Sequence, residues 1–328
     1  MNTRRASVDV TWNGVSATEK LRNDVTGFTY TDPASGEADS LDITVHDRNR
    51  KWIGPWLPQK GDTLSAYIQV FDWAAQGDNR RFYCGYFILD DFSFSGPPVS
   101  GSISAVSVPA DSSFRETQRS KTWEEVTIKE IAEEVASRAG VSLQWDVEEE
   151  FVLQCVEQSN ATDCDFLMQL CEEYGYCMKV YAWKIVIFDR EAYKAKPAVR
   201  SYQAGELQSW NWKTTMAGTY TGGEYTYTDP QTEEEIVVNV GKGPRVLKQS
   251  GKADSKADAE RKIKAAVANA NHGATTLSAT IMGDPGRVAS QCVEVLGLGK
   301  LSGKYYIDSI TSKVGGGFTQ DLEMSLVE

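Results

Sequence analysis

The sequence predicts a mainly β protein in which a small α/β segment lies between two β-rich regions. Three observations carry this expectation. About six alternating or continuously apolar stretches fill the first 113 residues with no helical pattern between them, two capped helical patterns fall between 114 and 200, and strand patterns return after 201 around a single helix.

In the first region the strands are expected in "SVDVTW", "VTGFTY", "SLDITVHD", "TLSAYIQVFDW", "RFYCGYFILDDFSFSG" and "GSISAVSV", most of them separated by Gly, Pro, Asp or Asn. With no crossover helices, an antiparallel barrel or sandwich follows, because either leaves few exposed edges. In the second region Thr127 opens "TIKE", a capping box with Glu130, and Ile128, Ile131, Ala132, Val135 and Ala139 recur at helical spacing until Gly140. Thr162 caps a second helix. Asp163 and Asp165 occupy its first turn, where the helix dipole favours negative charge, and Phe166, Leu167, Leu170, Cys171 and Tyr174 share one face before Gly175 ends it. "YCMKVYAWKIVIFD" then reads as a strand pair.

In the third region strands are expected in "LQSWNWKTTMAG", "TYTGGEYTYTD" and "EEIVVNVG". A helix over about 254–271 would turn Ile263, Ala266, Val267 and Ala270 inward, and strands follow at 275–282, 290–296, 303–314 and 318–327.

With 328 residues, 41% hydrophobic and 24% charged, the chain can bury a sizeable core. It carries no signal-peptide stretch and no window approaching the roughly 18 apolar residues of a membrane span, so production in the cytoplasm without membrane insertion is expected. The net charge of −12 divides as −4 over 1–113, −6 over 114–200 and −2 over 201–328. Such a balance argues against a surface that grips nucleic acid or anionic lipid, since either needs clustered Lys and Arg.

Cys164, Cys171 and Cys177 sit among Glu157, Asp163, Asp165, Glu172 and Glu173. The intervals between these cysteines are too long for the paired ligands of a zinc site, and the helical pattern makes them core thiols. His46 and His272 are the two histidines of the chain, too few for a histidine triad or a histidine-rich metal site. "GLGKLSGKY" fails the phosphate-loop pattern at Leu298 and Tyr305 and reads as a hairpin turn. The acid pairs Glu124/Glu125, Glu149/Glu150 and Glu233/Glu234 are adjacent residues whose side chains diverge, so solvated charge is the expectation. No catalytic, cofactor-binding or metal-binding residue is assigned, and no cofactor is expected.

Three stretches together resemble the phage late control protein D family, the baseplate hub proteins of contractile tails. The first is "SLDITVHDRNRKWIGPWLPQKGDTLSAYI", with Asp47-Arg48, Trp52, Pro58 and Gly61 at its turns. The second runs from "SKTWEEVTIKEIAEEVASRAGVSL" to the helix of Asp163, Phe166, Leu167 and Leu170 and the strands after Gly175. The third runs from "KADAERKIKAAVANANHG" through Gly283-Asp284-Pro285 to "SGKYYI". The chain departs from the family pattern at Ser290, where relatives often carry Gly, and at Thr311-Ser312.

The resemblance implies two tail-tube-like antiparallel β-barrels, over 1–113 and 201–328, flanking a small α/β domain over 114–200 made of two helices and a strand pair. It further implies a non-enzymatic virion protein of the tail baseplate, assembled in the host bacterial cytoplasm. Its homotrimer would form a pseudo-sixfold ring adapting a hexameric tail tube to a trimeric central spike. The implied partners are a second and third copy of the chain, the tail tube protein and the central spike protein, with the tape measure protein and baseplate wedge or LysM-type adaptor proteins around them. No specific nucleic-acid binding is implied, and a lumen that is acidic or uncharged is expected. The alternatives are a hub or spike base of a non-phage contractile injection system and, less favoured, a peptidoglycan hydrolase, for which the residues after the last strand leave no room.

Overall fold

The computed structural model describes residues 3–18, 23–107, 113–229 and 232–327. The first region supplies β1 (Arg5–Trp12), β2 (Val15–Ser16), β3 (Val25–Pro33), β4 (Ser40–His46), β5 (Thr63–Phe71), β6 (Arg80–Ser95) and β7 (Ser100–Val106). The expected domain boundary at 113 adjoins residues 108–112, which lie outside the described residues. The middle region holds α1 (Ser113–Glu116), β8 (Gln118–Thr127), α2 (Ile128–Arg138), β9 (Ser142–Asp146), β10 (Val152–Thr162), α3 (Asp163–Glu173), β11 (Tyr176–Tyr181), β12 (Lys184–Asp189) and α4 (Arg190–Ala195). The last region holds β13 (Ser201–Gln203), β14 (Leu207–Thr214), β15 (Gly222–Thr228), β16 (Glu235–Gly241), β17 (Val246–Ser250), α5 (Lys256–Asn271), β18 (Thr275–Met282), β19 (Cys292–Leu296), β20 (Gly303–Val314) and β21 (Phe318–Leu326).

Both capped helices form as their sequences require. The Glu130 N–H donates to Thr127 Oγ1 at 3.2 Å while the Thr127 N–H donates to Glu130 Oε2 at 2.8 Å, closing the capping box. The Asp165 N–H donates to Thr162 Oγ1 at 3.1 Å in α3. Ile131, Val135, Leu167 and Cys171 are fully buried in one core under the antiparallel β8–β10 ribbon and the β11–β12–β9 sheet. The middle region is therefore richer than two helices and a strand pair. β8 and β10 escaped the sequence reading because their faces mix Glu, Gln, Thr and Lys with few apolar positions.

A 13-stranded, almost wholly antiparallel sheet runs β14-β18-β21-β20-β3-β4-β7-β6-β5-β1-β2, with β19 on β20 and the short β13 beside it. Its two apolar cores are separate. One lies within β1 and β3 to β7 around Phe28, Ile43, Leu64, Ile68, Phe87 and Ile103. The other, under β18 to β21, gathers Leu277, Ile281, Val295, Tyr305, Ile310 and Leu322. No sheet closes among the described residues, so closed barrels are not what the hydrogen bonding forms. β3 is flanked by β4 on one side and by β20 on the other, which takes the edge that β1 would need to complete a ring.

The last region also differs from a single β unit. β16, β15 and β17 form their own three-stranded sheet, and α5 packs on Tyr225, Tyr227 and Val238. In α5, Ile263 is buried as expected, but Ala266, Val267 and Ala270 are half-buried, and Asp258, Ala259 and Ala265 are the other buried positions. The reason is that α5 contacts two partners at once: the β15 sheet on one side and, through Ala265 against Gly175, the end of α3 on the other. A Cβ on Gly223 would lie 2.4 Å from Ile263 Cγ1, so this glycine lets the helix settle on the strand.

Candidate functional site

The family motifs turn out to be joints of the fold. The buried Asp47 carboxylate accepts the backbone N–H groups of Lys51, Trp52 and Ile53 at 2.7, 3.0 and 3.1 Å, pinning the loop after β4. Asp284 accepts the Gly286 N–H at 3.0 Å and faces Arg287 and Arg80 at 3.2 and 3.1 Å. These contacts hold its carboxyl below the usual carboxylate range in spite of partial burial. Beside it the Trp73 indole donates to the Gly283 carbonyl at 2.7 Å, so the first and last regions meet there. Asp163 is buried and receives Arg138 at 2.7 Å, Arg119 at 3.3 Å and Gln158 at 3.0 Å, a network no sequence spacing announces. Ser290 adopts φ 69°, the left-handed region in which glycine is at ease.

A second joint escaped the sequence reading altogether. Lys179 of β11 reaches Asp32 at the end of β3 and lies 2.9 Å from Asp39, while the Tyr30 hydroxyl donates to Asp39 at 2.6 Å and the Ala289 N–H donates to Asp32 at 2.8 Å. One lysine with two carboxylates thus ties all three regions. Burial works against its charge, but Asp32 and Asp39 hold Lys179 protonated.

The cysteines are packed as expected. Cys164, Cys171 and Cys177 are all buried, and burial pushes all three thiols up. No group of three or more His, Cys, Asp and Glu side chains placed to hold a metal occurs among the described residues. His272 ends α5 with Nε2 2.8 Å from Asp308 Oδ1, and Glu149 and Glu150 are exposed partners of Arg261 and Lys129. "GLGKLSGKY" connects the antiparallel β19 and β20.

One surface stands out. Along β14-β18-β21-β20-β3-β4-β7-β6 the register aligns outward residues into continuous rows: Ser209, Thr280, Asp321, Thr311, Thr31 and Ser40 form one, and Thr319, Lys313, Thr29, Asp42, Ser104 and Asp91 the next. The face is short, hydroxyl-rich and almost without cations, for Lys213 and Lys313 are its lysines and no arginine occupies the paired outward positions. Its carboxylates are held in place by neighbours, one by a lysine and others by hydroxyls. Lys313 Nζ lies 2.6 Å from Asp321, Thr280 donates to Asp321 at 2.7 Å, and Ser104 and Ser278 each donate to a carboxylate, Asp42 and Glu323, at 2.5 Å. Chemically this is a smooth, weakly acidic carpet that offers a phosphate backbone little to hold.

The same run has two free edges. Among the described residues β14 pairs only with β18, and residues 91–95 of β6 pair only with β7, because the β5–β6 ladder ends where Thr63 stands opposite Ile88. On β14, Trp210 is half exposed, and neither proline nor an inward charge protects the edge.

Comparison with known proteins supplies the context. The sequence profile described as phage tail baseplate hub (GPD) matches residues 67–283, well over half of the chain. Among solved structures, the 43 kDa tail protein of prophage MuSo2 from Shewanella oneidensis is similar over 97% of both chains, with 14% identity and a TM-score of 0.74. The tail protein of Neisseria meningitidis MC58 is similar over 98% of this chain and 96% of its own, at 12% identity and a TM-score of 0.75. A type VI secretion component of E. coli is similar over 93% of this chain and 74% of its own, at 11% identity and a TM-score of 0.59. No curated protein sequence matches.

Proposed function

The chain belongs to the phage tail baseplate hub family, and from that premise we propose that three copies form a pseudo-sixfold ring joining a hexameric tail tube to a trimeric central spike. The observation that carries this reading is the composition of the eight-strand run. It consists of two consecutive four-stranded antiparallel halves, β14-β18-β21-β20 and β3-β4-β7-β6, abutted at the β20–β3 ladder. Three chains then bring six such halves, which matches the symmetry a tube above would demand while the true symmetry remains threefold for a spike below.

In this reading the three regions 1–113, 114–200 and 201–328 act as two tube-like units and an outer α/β unit. Ring closure supplies what the isolated chain lacks. The free edge of β14 pairs with the Asp91–Ser95 edge of the next copy, so the sheet that is open in one chain closes only in the assembly. The hydroxyl face then lines the channel, and the role is structural. The protein would be a component of the virion tail, assembled in the host cytoplasm with tube and spike proteins as neighbours.

A reconstruction of the assembled particle tests the proposal: three copies about the axis with the Thr31 and Thr311 rows facing the channel are expected, and six copies, or these rows facing outward, would refute it. The similarity to the E. coli secretion component favours a second reading, the spike base of a non-phage contractile injection system, with the same ring. A particle carrying a phage head separates the two.

A further inference from the structure

We infer that the outer edge of β16 is a strand-addition site for an extended, basic segment of another protein in the assembled particle; the inference rests on the hub reading above. β16 pairs with β15 along its whole length without a bulge, from Glu235 opposite Thr228 to Gly241 opposite Gly222, and no strand lies on its other side among the described residues.

The phase of the ladder is fixed at both ends. The Asp229 N–H donates to the Glu234 carbonyl at 2.9 Å and the Lys242 N–H donates to the Thr221 carbonyl at 3.2 Å. Between these bonds Ile236, Val238 and Val240 turn their backbone groups toward β15. Glu235, Val237, Asn239 and Gly241 therefore aim their N–H and C=O groups at open solvent.

Strand edges in soluble proteins are usually blunted by lysine, proline, bulges or brevity. β16 uses none of these devices over its seven residues, and its Val237 is 46% exposed. Glu233 and Glu234 stand immediately before it and Glu235 opens it, all exposed and in no ion pair among the described residues. A strand added antiparallel to β16 would meet this acid run with its C-terminal end, so basic residues belong there, and Lys242 at the far end favours an acidic or neutral start. Pairing of this edge with the same edge of a second copy needs a twofold axis, which a threefold ring does not contain. In the ring proposed above the β14 and β6 edges are taken by neighbouring copies, and the β17 edge presents a lysine, Lys248, already paired with Glu224, so the acid run is assigned to a basic segment of a different protein, present three times per ring.

Hydrogen exchange on intact particles, against the isolated chain, provides the test. Amides of 235–241 should exchange at least tenfold more slowly in the particle, while the isolated oligomer leaves Val237 and Asn239 fast. V237P removes only an outward N–H and should keep the chain folded yet lower its incorporation or the particle's activity at least tenfold. Should that proline disturb the hairpin, the E233K/E234K/E235K chain keeps the backbone intact and should show the same loss. Equal exchange of Val237 and Asn239 in particle and isolated chain, or full function of the glutamate variant, overturns the site, as does protection already present in the isolated oligomer, which would mean self-pairing. A threefold hub ring with an unprotected β16 edge removes this inference alone, whereas a particle lacking the chain removes the hub reading with it.

Discussion

Lys179 Nζ lies 2.9 Å from Asp39 Oδ1, with the two side chains 14% and 0% exposed, and Asp32 completes the cluster from the end of β3. Removing the cation leaves two carboxylates facing each other out of water. Lys179→Met should therefore cost about 3–5 kcal/mol of unfolding free energy in urea denaturation. Adding Asp39→Asn to it should recover part of the loss, because the repulsion disappears; a double variant less stable than the single would contradict this account.

The same cluster sets a pH dependence. Burial pushes the Asp39 carboxyl up to about 7, against the pull of Lys179, with Asp32 adding to the rise. The folded chain thus holds that proton to higher pH than the unfolded chain. Its contribution is full below the unfolded carboxylate value of about 3.9 and is lost as pH rises through the folded value. Asp284 has the opposite sign: lowered in the fold, it contributes above the unfolded value and loses this as pH falls through the folded one. Unfolding free energy should fall between about pH 4 and about pH 7, and Asp39→Asn should flatten that slope, while Asp284→Asn should flatten the fall in acid.

Phe166 stacks on Trp123 at 5.3 Å with the rings 4° from parallel, and it is nearly buried in the core of the middle region. Phe166→Ala should cost roughly 3–5 kcal/mol, and Cys171→Ala, a smaller truncation at a fully buried site, about 1–2 kcal/mol. Thermal melts give both values. Metal analysis of the wild-type protein should find no stoichiometric zinc, and a bound metal lost on replacing Cys171 would reverse the reading of these thiols.

How much of this could be read in advance depended on the range of the interactions. The Thr127 and Thr162 caps, the faces of α2 and α3 and most long strands are set by residues within a few positions, so spacing alone revealed them. β17, with exposed Val246, Lys248 and Ser250, has no alternation to betray it, since it is an edge strand wet on both sides. The inward face of α5 was misjudged because two separate surfaces, one in another region, determine it. The hydroxyl face was visible as the polar half of each strand, but its continuity depends on the β20–β3 register across residues nearly 280 positions apart. Lys179 gave no signal in the sequence, for nothing local distinguishes it from a solvated lysine.

The chemistry of the hydroxyl face predicts how the channel would respond to added charge. Thr311 and Thr31 stand directly opposite one another on adjacent strands, in the middle of the outward rows. Arginines at both positions would place six new cations around the lumen of a threefold ring, where phosphates bind by releasing counterions and each contact steepens the salt dependence. Both sites are partly exposed and outward, so a folded chain with a melting temperature near that of the wild type is expected. Particles carrying Thr31→Arg and Thr311→Arg should assemble yet release DNA more slowly, with the deficit shrinking as salt is raised from about 0.05 to 0.5 M. Thr31→Ser with Thr311→Ser should behave as wild type. Unchanged release kinetics at low salt, in particles shown to contain the arginine chain, would mean that this face does not line the channel.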